Sequence, residues 1–489
     1  GGFRARLATV PDTRDGRVID ITGTWTDQYQ LTMAQAYFQE GRAEETAVFD
    51  YFFRKLPFDG GYATFAGLED LLETLSALRF SSLDIDYLAK QGFNAGFLEW
   101  LREFRFHGNI RAVLEGDLVF PNRPVLEIEA PLVEGQVVES LLLNILNLQT
   151  LIATKASRMR LAAGPQRKLV DFGMRRAHGA GGYAASRAAI IGGFDGTSNV
   201  RAARDYGLPL SGTMAHSFIQ SYDHELDAFR AFARCWPENC VLLVDTYDTL
   251  KSGVPNAITV GLEMAEQGLA LKGIRLDSGD LAWLGRESRR LLDEAGLSEV
   301  RIAASNELDE YVIKSLIEQR APIDLFGVGT RLVTGQPDAA FDGVYKLAMA
   351  GGKLRLKLSE TRAKVTLPGR KQVWRVAESN GAWLGADVVG LEDEDAPARM
   401  TDPRDSRRRL EFSTCDRTPL LQTVMTKGER LSPARSVDEI ARHVRDQLAA
   451  LPPEYKRFDN PHVYKIGVSD TLLQARDTLI AHYTERSTP

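Results

Sequence analysis

Cysteine is scarce in this chain, with three residues among 489. A disulfide framework cannot be built from so few. Cys235 and Cys240 stand close together in RCWPENC and Cys415 is far away, with no second close pair or nearby histidines to complete a zinc site. They read as core or surface thiols in a reducing cytoplasm. Histidine is also rare, with seven residues, and no HxH or HExxH pattern occurs. Long apolar runs are missing. The apolar-rich uncharged stretch Ser140 to Thr154 is too short for a membrane span and contains Asn144, Asn147 and Gln149. A basic surplus is missing too. Sixty Lys and Arg against 66 Asp and Glu leave a net charge of −6, which excludes bulk attraction to nucleic acid or anionic lipid. There is no GxxxxGKS/T loop, and no GxGxxG follows a first strand with its acidic partner. No signal-peptide apolar core is found, and the Gly1-Gly2 start reads as trimmed or as an added scar.

What is present suits a folded protein of several domains. Apolar residues make up 44% and charged residues 26%. At roughly 150 residues per domain, the length allows about three. Helices are expected over Asp27–Glu40, Leu68–Leu78 and Asp84–Arg105, and a strand over Thr46–Phe53. Short extended runs with edge prolines fill 113–132. Leu141, Ile145, Leu148 and Ile152 repeat at helical spacing and mark a buried helix. From Lys168 the pattern changes. Seven apolar runs (168–172, 192–195, 208–212, 241–245, 273–277, 301–305 and 323–327) alternate with helical stretches such as Ser217–Arg234 and Leu281–Glu294. Such alternation implies parallel strands with right-handed crossovers, and this many similar units favour an α/β barrel over an open sheet. Beyond Tyr345, strands are expected at 351–359 and 371–376, a charged loop at 396–409 and a helix at Ser436–Leu451. The expected division is an N-terminal α+β domain (1–160), a barrel domain (161–350) and a C-terminal β-containing and helical region (351–489).

Each of the seven runs ends in polar or glycine-rich residues: DFGMRRAH (171–178), FDGTSN (194–199), GTMAHS (212–217), DTYDT (245–249), RLDSGD (275–280), SNELD (305–309) and FGVGT (326–330). Parallel barrels build their sites at the carboxyl ends of the strands. One such run is weak testimony, since Asp205, Ser252 and Asp309 each read as ordinary helix N-caps. Seven together point to a small-molecule site. Gly327, Gly329 and Thr330 suit close approach of main-chain N–H groups to a phosphate. Arg175, Arg176 and Arg275 suit a carboxylate or phosphate, or else bridge Asp171, Asp245 or Asp277. The pairs Asp245/Asp248 and Asp277/Asp280 suit Mg²⁺ with a diphosphate, or brace the rim. His216, in a polar loop opening a helix, suits a base, a ligand or a nucleophile, whereas His107, His443 and His482 read as structural.

In number and order these motifs, with TDQYQLTM (26–33), LKLSE (356–360), TLPG (366–369) and NPHVY (460–464), resemble nicotinate phosphoribosyltransferase from about residue 26 to about 480. The resemblance implies an irregular α/β barrel of the type II phosphoribosyltransferase kind, with about seven parallel strands. It implies an ATP-dependent, ligase-type reaction in which nicotinate displaces diphosphate from 5-phosphoribosyl 1-diphosphate (PRPP), giving nicotinate mononucleotide for NAD salvage. His216 would become a phosphohistidine, oriented by Asp245, with Asp277 also catalytic. Tyr29 and Phe172 would sandwich the pyridine ring, the tyrosine coming from a second subunit of a homodimer. Arg175, Thr213 and Arg275 would lie at the nicotinate site. Ser305, Asn306, Gly327, Gly329 and Thr330 would bind PRPP, with Mg²⁺ held through the diphosphate.

Three other readings compete. Nicotinamide phosphoribosyltransferases carry an aspartate in the segment matching 196–200, to accept from the amide. This chain has Ser198 there, which favours the acid. Quinolinate phosphoribosyltransferase shares the fold but calls for more basic residues. A catalytically inactive ligand-binding relative is disfavoured by the complete set of strand-end residues.

Overall fold

The computed structural model describes residues 20–358 and 366–486. Gly1-Gly2, and Ser359 and Glu360 of the LKLSE run, lie outside them. Six parallel strands form one sheet in the order Gly196–Thr197, Lys168–Asp171, Leu325–Val328, Arg301–Ser305, Gly273–Leu276 and Val241–Leu243. The expected seventh strand, 208–212, contributes only an isolated parallel bridge between Leu210 and Thr197. Pro209 has no N–H with which to continue a ladder. Four residues on, Thr213 Oγ1 donates to Val241 O (2.6 Å) on the opposite edge strand. The segment thus touches both edges of the sheet, and the ladder itself stays open there.

Other expectations shift for local reasons. The strand expected at 192–195 lies at Gly196–Thr197, because Gly192 and Gly193 end the helix Gly181–Ile191 and Gly193 adopts a φ of +110°. The helix expected at Asp84–Arg105 is two, Ser82–Lys90 and Ala95–Arg102, parted at Gly92 and restarted by the Asn94 cap. Ser217–Arg234 is likewise two, His216–Gln220 and Glu225–Cys235. Glu225 at the restart is buried and accepts from Ser252 Oγ (2.5 Å) and Asn256 Nδ2 (2.9 Å). The charged loop at 396–409 is a hairpin, Arg399–Asp402 with Asp405–Glu411, its proline in the turn and its charges on an exposed edge strand.

Two large antiparallel-rich sheets and a two-stranded one, Ala63–Thr64 with Leu118–Val119, make up the rest of the strands described. One joins N-terminal strands to later ones in the order 353–354, 343–350, 46–53, 126–131, 109–112, 422–426, 429–430. The other has the order 405–411, 399–402, 465–468, 383–391, 371–377, 416–419. Between the cores runs the helix Glu139–Ala163. Its first half gives Leu141, Leu142 and Leu146 to the antiparallel core, and its second half gives Ile152, Ala156 and Met159 to the parallel one. Among the described residues no helix is long and apolar enough to cross a membrane.

Buried charge fixes how these parts meet. Arg187, on the helix Gly181–Ile191, reaches Glu115 through both terminal nitrogens (2.7 and 3.1 Å) and Gln149 of the long helix (2.8 Å). Glu115 also accepts from the N–H groups of Gly67 (2.6 Å) and Glu69 (3.0 Å), capping the helix Leu68–Ala77. Burial raises the Glu115 carboxyl, but Arg187 and those amides outweigh it and hold it below the usual range. Replacing one partner leaves the other charge buried and unpaired. Arg187→Ala is therefore expected to lower stability by about 3–5 kcal/mol, read from denaturation midpoints. Arg408→Ala, on the exposed hairpin, should change it by less than about 0.5 kcal/mol.

Candidate active site

The carboxyl ends of the parallel strands bring the sequence-predicted residues into one region. Asp245 follows the strand Val241–Leu243, and its side chain is 2% exposed. One oxygen, Oδ2, accepts from Asp277 N (2.8 Å) and Ser278 Oγ (2.6 Å), tying two adjacent strand ends together. The other, Oδ1, is buried without a hydrogen-bond partner. Asp277 accepts from Ser305 Oγ (2.5 Å) on the next strand. Asp248 and Asp280 are drawn off to cap helices, through the N–H groups of Leu250, Lys251 and Trp283. Of the supposed N-caps, Asp309 serves as one, whereas Asp205 pairs with Arg201 and Arg204, and Ser252 donates to Glu225.

His216 opens its short helix 38% exposed. Its Nδ1 lies 3.0 Å from Thr246 Oγ1. Nε2 faces Asp277 Oδ2 at 3.7 Å and Asp245 Oδ1 at 4.0 Å. Two carboxylates beside Nε2 favour the ring proton there and leave the Nδ1 lone pair to accept from Thr246. The hydroxyl partner was not foreseen. Its sequence signal is its place next to Asp245, one residue past the strand end.

Phe172 and Arg275 form the second part of the site. The Arg275 guanidinium stands 5.9 Å from the Phe172 ring centroid. Its Nε is buried without a partner, and among the described residues it makes no ion pair. Burial pushes this guanidinium below its ordinary range, Asp277 and Asp245 pull it back up, and the nearby Arg175 opposes them. The result is a desolvated cation beside an aromatic face. Gly327 is needed here, since a Cβ would collide with the Phe172 ring. Gly329 precedes the one-turn helix Thr330–Val333. Asn306 is exposed and left-handed at a φ of +83°.

Asp171 holds the two loops that flank Phe172. It is buried, and accepts from Gly173 N (2.7 Å), Ser186 Oγ (2.8 Å) and Thr197 Oγ1 (2.7 Å), while its carbonyl accepts from Ser198 N (2.8 Å). Burial raises this carboxyl. The bracing by Ser186 and Thr197 was not legible in the sequence. Thr213 commits its hydroxyl hydrogen to Val241 O. Tyr29, on the helix Gln28–Gln39, is 50% exposed, and among the described residues it makes no ring contact with Phe172. No group of three or more His, Cys, Asp or Glu among the described residues is placed to hold a metal ion.

Comparison with known proteins covers nearly all of the chain. The model of the nicotinate phosphoribosyltransferase N-terminal domain matches residues 24–147, that of the nicotinate phosphoribosyltransferase family 167–350, and that of its C-terminal domain 370–476. The nicotinate phosphoribosyltransferase of Bacillus subtilis (strain 168) is 42% identical, over 92% of this chain and 94% of its own. That of Mycobacterium tuberculosis, pncB2, is 43% identical, over 94% and 96%. The crystal structure of human nicotinic acid phosphoribosyltransferase superposes with a TM-score of 0.84 at 32% identity, covering 93% of this chain and 99% of that one.

The Asp171 network yields a direct test. Asp171→Asn turns one acceptor into a donor facing donors, at a cost of about 1–3 kcal/mol. Amide exchange should accelerate first at 172–178 and 196–199. Unchanged protection in both loops would mean that the carboxylate does not hold them.

Proposed function

The chain belongs to the nicotinate phosphoribosyltransferase family, and from that premise we propose how its strand-end residues carry out the transfer of the phosphoribosyl group of PRPP to nicotinate. The observation that carries the reading is Arg275, a half-buried guanidinium whose Nε is buried without a partner and which makes no ion pair among the described residues, set against the Phe172 ring. A pyridine carboxylate satisfies both, with the acid on Arg275 and the ring on Phe172. Arg175 adds positive charge, and Asp171 positions both flanking loops. Ser198 puts no carboxylate in the segment where an amide-using enzyme needs one, so the acid meets no repulsion there.

PRPP lies against the neighbouring strand ends. Gly327, Gly329 and Thr330 take the 5-phosphate, and Ser305 and Asn306 line the sugar side. Mg²⁺ suits one or two carboxylates together with substrate phosphates. The unpartnered Asp245 Oδ1 and the neighbouring Asp277 fit that donor set and would hold it beside the diphosphate. When bound, it supplies charge neutralisation for the leaving group. The ring nitrogen of nicotinate attacks the anomeric carbon as diphosphate departs, and holding the two in line is the larger part of the catalysis.

ATP coupling runs through His216. The Nδ1 lone pair, freed as the Thr246 hydroxyl turns away, attacks the γ-phosphorus, the bond to the β–γ bridging oxygen breaks and ADP leaves, with Asp277 and Asp245 stabilising the charge at Nε2. The added phosphoryl charge then acts on the 208–217 segment, which spans the open edge of the parallel sheet. That sheet is read as an irregular barrel closed by this segment, flanked by an N-terminal domain and a C-terminal region. The exposed Tyr29 supports a homodimer in which each chain lends this ring to the site of the other. A cytoplasmic setting agrees with three free thiols.

Incubation with PRPP, ATP and either pyridine tests the specificity. Nicotinate should exceed nicotinamide in kcat/KM by about 100-fold or more, and equal turnover of the amide would overturn the assignment. His216→Ala should keep the circular dichroism of the parent and lose ATP-stimulated turnover. ATPase activity persisting at the parent rate would remove His216 from the nucleophile role.

A further inference from the structure

A cavity of about 440 Å³ lies where the N-terminal sheet, the 121–124 loop, the C-terminal sheet and the last helix meet, and none of the strand-end residues lines it. Much of its wall is apolar, with Phe52, Pro124, Val463 and Ile466 among the lining residues. At one point Asp50, 4% exposed, has Oδ2 2.8 Å from Lys371 Nζ while Oδ1 has no hydrogen-bond partner. Phe52 stands two residues along the same strand face and Arg54 one residue past the strand's end, the guanidinium 5.8 Å from the ring centroid. Among the described residues Arg54 makes no ion pair, whereas Arg476 is held by Asp477 and Pro403 O.

Asp50 sits directly opposite Glu127 across the antiparallel ladder, two buried carboxyls side by side. Burial first, and then Asp50, push Glu127 up to about 7, and burial raises Asp50 as well. At neutral pH the pair therefore keeps a proton for part of the time, which lessens the negative charge on this wall.

We propose that this cavity is a second small-molecule site, for an organic oxyanion carried on a flat apolar body. Phe52, Pro124 and Ile466 cover the body and Arg54 meets the anionic oxygens. A bare hydrated anion is a poor occupant, because the apolar wall returns nothing for its lost water. The oxyanion is a carboxylate or a phosphate ester, and the two are separated by the probes.

Crystals soaked in 4-bromobenzoate or 4-bromophenyl phosphate locate the probe by bromine anomalous scattering, which distinguishes this cavity from the strand-end site. A peak between Phe52 and Ile466 is expected with at least one of them, and the stronger of the two identifies the oxyanion. Calorimetry should give a Kd on the order of 1 mM or tighter for a ligand of this size. Arg54→Gln should weaken it roughly tenfold or more, and Ile466→Trp should abolish the cavity peak by filling the space. The neutral 4-bromobenzyl alcohol should bind at least about tenfold more weakly than the anion. A cavity empty of both anions overturns the proposal. So does an affinity unchanged by Arg54→Gln, or a neutral probe that binds as tightly.

Discussion

Much of the architecture hangs on one guanidinium. Arg187 is buried among Glu115, Gln149 and Asp70, which lie on three segments of the antiparallel core, whereas the helix that carries Arg187 packs in the parallel one. Removing two charges from water is costly, and the cost is offset only when every donor and acceptor is met in good geometry. The pairing is therefore a constraint on position more than a source of stability. It sets the first crossover helix against the long helix Glu139–Ala163, and that crossover carries Ser186, the hydroxyl that braces Asp171 beneath Phe172.

The site repeats the same logic at smaller scale. Asp245 and Asp171 are buried carboxylates that bind neighbouring N–H and O–H groups, and each ties two loops together. Such anchors leave Arg275 without an ion pair among the described residues and hold His216 at Nδ1 through the Thr246 hydroxyl. The whole chain is net negative, yet Arg275, a half-buried cation without an ion pair among the described residues, lies at the strand ends.

Much of this was legible from the sequence, for identifiable reasons. Strand ends could be read because apolar runs stop sharply at Asp171, Asp245 and Asp277. Thr46–Phe53 and Arg301–Ser305 lie where alternation and β-branching place strands. Helix continuity was overestimated at Gly92 and at Ser221–His224, where local breaks serve a cap and the inward turn of Glu225. The hairpin at 399–411 was hidden because each strand carries one apolar residue, Met400 and Leu410, too few to show an apolar alternation. The hydroxyl partners Thr246, Ser186 and Thr197 were invisible for another reason. A hydroxyl's partner is fixed by tertiary approach, and no local spacing encodes that.

The strand Thr46–Phe53 has two neighbours, 126–131 and 343–350. The first follows soon after it along the chain, whereas the second comes about 300 residues later. At 5–20 residues per second, a ribosome needs roughly 15–60 s to deliver it. Throughout that interval an aromatic-rich strand waits with one edge unpaired, a form prone to pairing with other chains. The sheet that supports the N-terminal half is thus finished only after the catalytic half has emerged, and nascent-chain protection, as much as final stability, governs how much of this protein a cell obtains.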